Sequence, residues 1–155
     1  MKNSKSTSVF LVDDDPYSLA MYEQHLHNLG YTNTTCFSSG QECIEHLNEK
    51  PSVVFLDYNM PPMDGLDVLK KIKSLRPGTC IVFLSGQANL DVAVDSLKCG
   101  AFDYILKGSN DLDKINEVME KFEAVQEKVA HEGLDDEENK QQYAVSNRWY
   151  GGENN

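Results

Sequence analysis

The stretch VVFLDYNMPPMDG, Val53 to Gly65, decides how the chain folds. Four apolar residues, Val53 to Leu56, run without interruption into Asp57, and two prolines and a glycine follow close behind. So short an apolar run bounded by turn residues is a strand, and its lack of alternation means that both faces are covered, as in a parallel sheet. A strand buried on both sides can present a charged side chain only where it leaves the sheet. Asp57 therefore marks a carboxyl end.

Similar runs recur along the chain: VFLV (Val9 to Val12), IVFL (Ile81 to Leu84) and YIL (Tyr104 to Leu106). The more polar TNTTCF, Thr32 to Phe37, reads as an edge strand. Helical patterns separate them. Leu19, Tyr22, Leu26 and Leu29 form an apolar stripe after DDDP, where Asp15 can cap a helix and Pro16 can occupy its first turn. Leu66, Leu69, Ile72 and Leu75 form a second stripe closed by RPG, and Ile115, Met119, Phe122 and Val125 form another. Shorter helices fit Gly40 to Asn48 and Ala88 to Lys98. Five alternations of strand and helix predict a three-layer α/β fold, because parallel strands need crossover helices and right-handed crossovers place them on both faces.

The chain of 155 residues is long enough for one domain with a substantial core. Its formal charge of −11 argues against direct contact with nucleic acid, which requires clustered Lys and Arg. Cys36, Cys43, Cys80 and Cys99 show neither CxxC nor zinc-like spacing and read as reduced packing residues. The opening MKNSKSTS lacks the apolar region of a signal peptide, and no run reaches the length of a membrane span, so a cytoplasmic protein is expected. After about Val129 the pattern stops in an acidic, amide-rich segment. The expected organisation is a disordered strip over 1–7, one domain over 8–129 and a disordered tail over 130–155.

In open α/β sheets, ligands bind beyond the carboxyl ends of the strands. The residues standing there are Asp13, Asp14 and Asp15 after the first run, Asp57, Ser85 after IVFL, and Lys107 after YIL. A lone Asp after a strand is more often a turn or cap residue than a site, Ser85 reads equally as a plain turn and Lys107 as a strand stop, but the fold brings them to one rim. Carboxylates gathered there repel, so their pKa values rise or a cation neutralises them. Asp13, Asp14 and Asp57 are hard oxygen donors with no Cys or His among them, a set suited to Mg²⁺, or Mn²⁺ in its place. An ionised Asp57 could then attack phosphorus, with Lys107 and the Ser85 hydroxyl orienting the phosphoryl oxygens.

These residues together resemble the receiver domain of two-component response regulators. The likeness covers about Ser8 to Val125 and rests on FLVDDDP, VVFLDYNMPPMDGLDVLKKI, FLSGQ and GAFDYILK in the family's order. It implies a flavodoxin-like (βα)5 domain with a five-stranded parallel sheet in the order 2-1-3-4-5. It also implies Mg²⁺-dependent phosphotransfer from a histidine kinase or phosphotransfer protein, signalling to an output partner, and a homodimer as one assembly open to the fold. By position, Asp57 is the phosphoacceptor, Asp13 and Asp14 hold the metal with Asp57, and Asn59 lends its backbone carbonyl. Ser85 and Tyr104 match the switch pair, Lys107 the phosphate-binding lysine, and Asn59 and Gln87 the positions that tune the lifetime of the phosphorylated state. The family usually places proline after the lysine. Here Gly108 follows, and the Lys107–Gly108 bond is expected to be trans.

Such a domain is a phosphoacceptor rather than an enzyme acting on external substrates. Three other readings compete. Asp13-x-Asp15 has the spacing of haloacid-dehalogenase-like phosphatases, but Tyr17 stands where that family has Thr or Val, and the further acidic pair it needs after a late strand is not there: Asp135 and Asp136 lie in the polar tail instead. A receiver serving only as a binding module is a second. The third is the N-terminal part of a longer regulator, against which the stretch after Val129 offers no strand, helix or basic pattern of an output domain.

Overall fold

The computed structural model describes residues 5–131. Strand β1 (Val9–Val12) is followed by helix α1 (Pro16–Asn28), β2 (Thr34–Phe37), α2 (Gly40–Glu45) and β3 (Val53–Asp57). A short ribbon, β4 (Asn59–Met60) with β5 (Met63–Asp64), precedes α3 (Gly65–Leu75). The chain continues through β6 (Cys80–Ser85), α4 (Leu90–Lys98), β7 (Asp103–Leu106) and α5 (Asp111–His131).

The main sheet has five parallel strands in the order β2-β1-β3-β6-β7, which is 2-1-3-4-5 counted among its own strands, with the polar TTCF at the edge as expected. This is the flavodoxin-like arrangement. Residues alternate between its faces. Val9, Leu11, Val53 and Phe55 pack with Tyr22 and Leu26 of α1 and with Ile115, Val118, Met119 and Phe122 of α5. Phe10, Val12, Val54 and Leu56 face the opposite way, onto Cys43 of α2 and Val68, Leu69 and Ile72 of α3. Both faces are thus closed, which is why the strands read as unbroken apolar runs.

Helix starts follow the expected capping chemistry. Asp15 caps α1 by accepting from the Tyr17 amide with Pro16 in the first turn, and Asp64 caps α3 by accepting from the Asp67 amide. Asn89 likewise caps α4, so that helix starts at Leu90 rather than Ala88.

Other details depart from expectation. The helix expected over Gly40 to Asn48 ends at Glu45, and a 3-10 turn spans Leu47–Glu49 before Lys50, whose φ is 58°. Leu75 is 53 % exposed because the buried face of α3 runs through Gly65, Val68, Leu69 and Ile72, leaving the last leucine of the stripe past the core. Lys5, ahead of β1, forms a parallel bridge with Tyr31, and α5 runs to His131. Residues 1–4 and 132–155 lie outside the described residues. Among the described residues no helix is long and apolar enough to cross a membrane.

Gly65 shows why the chain turns as it does after Asp57. Its amide donates to the Tyr58 carbonyl at 2.7 Å, and a Cβ there would lie 2.6 Å from the Phe83 ring and 2.7 Å from the Tyr58 Cα. Only glycine lets α3 start this close under β3 and β6.

Candidate functional site

The loop after β1, the end of β3 and the loops after β6 and β7 meet at the carboxyl edge of the sheet. Asp57 is the last residue of β3 and pairs in register with Leu84, so Ser85 lies one residue further along the neighbouring strand. Ser85 in turn pairs with Leu106 of β7, and Lys107 extends one residue beyond. The Lys107 amide donates to the Ser85 carbonyl at 2.8 Å, continuing the ladder to the rim.

Asp13, Asp14 and Asp57 each offer a carboxylate oxygen within 4.8 Å of the others. Asp13 and Asp57 are buried, at 4 % and 8 % exposure, whereas Asp14 is exposed. Three carboxylates with no sulfur or imidazole among them form a hard, anionic oxygen set, open on the Asp14 side, that fits a divalent cation of the Mg²⁺ type. The Lys107 ammonium supplies the positive charge now facing them. Its Nζ lies 2.7 Å from Asp13 Oδ2 and 4.0 Å from Asp57 Oδ2. The lysine is tightly paired with Asp13 and only loosely with Asp57.

Asp57 is pushed up to about 6, chiefly by burial. Lys107 opposes that shift, Asp13 adds to it, and the Asn59 amide, donating to Asp57 Oδ1 at 3.4 Å, lowers it slightly. Asp13 Oδ1 accepts from the Asp15 amide at 2.9 Å, which fixes the acidic loop just before α1.

Ser85 is fully buried, and its Oγ accepts from the Gln87 amide at 3.1 Å. Tyr104 is half-buried on β7, with its ring centroid 6.1 Å from that of Phe83. Its hydroxyl donates to the Gln87 carbonyl at 3.0 Å. Ser85 and Tyr104 thus hold the two sides of one peptide segment. The Asn59 and Gln87 side chains are exposed beside the site. The cis peptide bond among the described residues is Pro61–Pro62, and Lys107–Gly108 is trans.

Asp111 carries no motif signal in the sequence, where it is one acidic residue among several at a helix start. In the fold it is buried and accepts from the Tyr22 hydroxyl at 2.6 Å and from the Gly108 amide at 3.2 Å.

The response regulator receiver domain profile matches residues 9–120. The DNA-binding transcriptional regulator NtrC of Escherichia coli K12 is 41 % identical over 100 residues, covering 64 % of this chain and 21 % of that protein. The regulatory protein AtoC of the same organism is 30 % identical over 127 residues, covering 79 % of this chain and 27 % of its own length. The chain thus spans about a quarter of the length of these curated relatives. Among solved structures, the CheY-like response regulator receiver domain protein of Methanospirillum hungatei JF-1 is 32 % identical with a TM-score of 0.72, over 80 % of this chain and 98 % of that one.

Proposed function

The chain belongs to the response regulator receiver domain family of two-component systems, and we propose that Asp57 is its phosphoacceptor. The observation that carries this reading is the meeting of three carboxylates within 4.8 Å beside the Lys107 ammonium, with Asp57 the one that lysine leaves loosely paired. Asp57 Oδ attacks phosphorus of a phosphohistidine on a kinase or phosphotransfer protein. An O–P bond forms, the P–N bond breaks, and the leaving imidazole takes a proton. Asp13, Asp14, Asp57 and the Asn59 backbone carbonyl would hold Mg²⁺, which when bound neutralises charge on the phosphoryl oxygens. Lys107 shifts from Asp13 toward the incoming phosphoryl group, and the Ser85 hydroxyl donates to another of its oxygens.

The test is incubation with a small-molecule acyl phosphate and Mg²⁺, followed by intact mass. The wild type should gain one phosphoryl group and Asp57→Asn none. A wild type that stays unmodified, while a receiver domain of known activity is modified in parallel, would sink the reading.

The response to phosphorylation runs through Ser85 and Tyr104. Turning the Ser85 hydroxyl toward the phosphoryl group releases the Gln87 amide, and the segment that tethers Tyr104 moves with it. Ser85→Ala should therefore take up phosphate yet leave the Tyr104 ring resonances where they are in the unmodified protein. Equal shifts of Tyr104 in wild type and Ser85→Ala would contradict this route. The kinase or phosphotransfer protein that supplies the phosphoryl group, and the output protein that reads the response, are partners of these two steps.

A further inference from the structure

We propose that Asp111 is a positioning residue for Lys107, acting through the Gly108 amide and locked by the Tyr22 hydroxyl. Its effect on rate rests on the phosphoacceptor reading of Asp57, whereas the clamp itself does not.

A carboxylate that is 6 % exposed must be compensated by donors. Two of them come from outside its own helix. Its Oδ2 accepts from Tyr22, 89 residues earlier on α1, and reaches back to the amide of Gly108. The Asp111 amide closes the turn on the Gly108 carbonyl at 3.4 Å. The start of α5, where exposed N–H groups favour an anion, adds to the compensation. Tyr22 stays protonated and donating, because burial, followed by Asp111, raises its phenol well above the ordinary value.

The consequence falls on Lys107. Its own amide is held by the Ser85 carbonyl at 2.8 Å and the next amide by Asp111 at 3.2 Å, so the peptide that aims the lysine is anchored on both sides. Helix α1, which carries Tyr22, starts directly after Asp13 and Asp14. The clamp therefore ties the acidic loop to the loop bearing the lysine that pairs with Asp13. Gly108 suits the role: its φ of 157° is closed to proline, which also lacks the N–H that Asp111 binds.

The experiment uses the full chain carrying ¹³C-labelled lysine, as wild type, Tyr22→Phe and Asp111→Ala, with Lys107→Ala to assign the Lys107 signal. The Gly108 amide should be protected from hydrogen exchange in the wild type and exchange at least tenfold faster in both variants. The Lys107 ε-methylene signal should move toward those of exposed lysines. Phosphorylation by an acyl phosphate with Mg²⁺ should slow several-fold, and neither substitution should slow it further once Lys107 is alanine. An unprotected Gly108 amide in the wild type, or an unmoved Lys107 signal in folded Tyr22→Phe, would overturn the proposal. So would equal slowing in the Lys107→Ala background, the mark of a merely structural role. If the Lys107 signal moves but the wild type accepts no phosphate, the clamp stands and the phosphoacceptor reading falls.

Discussion

Replacing Lys107 with alanine should slow phosphorylation of Asp57 by roughly 10²-fold or more at saturating phosphodonor, the loss expected when one preorganised charge on a reacting oxygen is removed. Among the described residues, Lys107 is the cation paired with the carboxylate cluster, 2.7 Å from Asp13 and 4.0 Å from Asp57. In the resting protein it offsets the repulsion among the acids. In the proposed transfer it turns from Asp13 toward the phosphoryl oxygens. Its removal therefore leaves both the nucleophile and the incoming group less compensated. Lys107→Arg should recover little, because a planar fork cannot occupy the place of a compact ammonium on a short reach between two carboxylates. Single-exponential uptake measured by intact mass gives the rate. A Lys107→Ala protein that matches the wild type would remove the lysine from the chemistry.

The second large effect is on stability. Asp57 titrates at about 6 in the fold against an ordinary 3.8, so the native state holds its proton more tightly than the unfolded chain does. The protein bears no penalty below about pH 4, and the penalty grows as pH rises and is complete above about 6. A shift of that size corresponds to about 3 kcal/mol. Without divalent cations, Asp57→Asn should match the wild type near pH 4 and exceed it by up to about that amount at pH 7.5, read from urea unfolding midpoints across the range. Adding Mg²⁺ at pH 7.5 should stabilise the wild type more than the variant, because the cation compensates a charge that asparagine lacks. A difference between the two proteins that is the same at every pH would show that burial of Asp57 is not what sets its proton affinity.

What the sequence discloses and what it hides divides by distance along the chain. Asp13, Asp14, Asp57, Ser85 and Lys107 stand after apolar runs, so a parallel sheet alone brings them to one rim; there the three acids lie within 4.8 Å of one another and Lys107 lies 2.7 Å from Asp13. Asp15 and Asp64 are legible for the same local reason: a cap is decided within three residues. The Asp111–Tyr22 bond is not legible, because it joins residues 89 apart whose types have commoner roles at a helix start and in a core stripe. Lys73 is similar. Its place at the end of α3 suggests solvent, yet its Nζ donates to the Thr79 carbonyl at 2.8 Å, and burial lowers its proton affinity. The break of α2 before the 3-10 turn at Leu47 and the exposure of Leu75 depend on where the core ends, which periodicity does not encode.

Phosphoryl transfer to Asp57 is the central proposal. Its most direct test is reductive trapping: the chain is treated with an acyl phosphate and Mg²⁺, then with borohydride, which converts an acyl phosphate on aspartate to homoserine, and fragmentation of the peptides locates the change. Homoserine at position 57, absent when either phosphodonor or Mg²⁺ is omitted, is the predicted result. Homoserine at Asp13 or Asp14 instead, or at no aspartate while the intact chain carries phosphate, would contradict it.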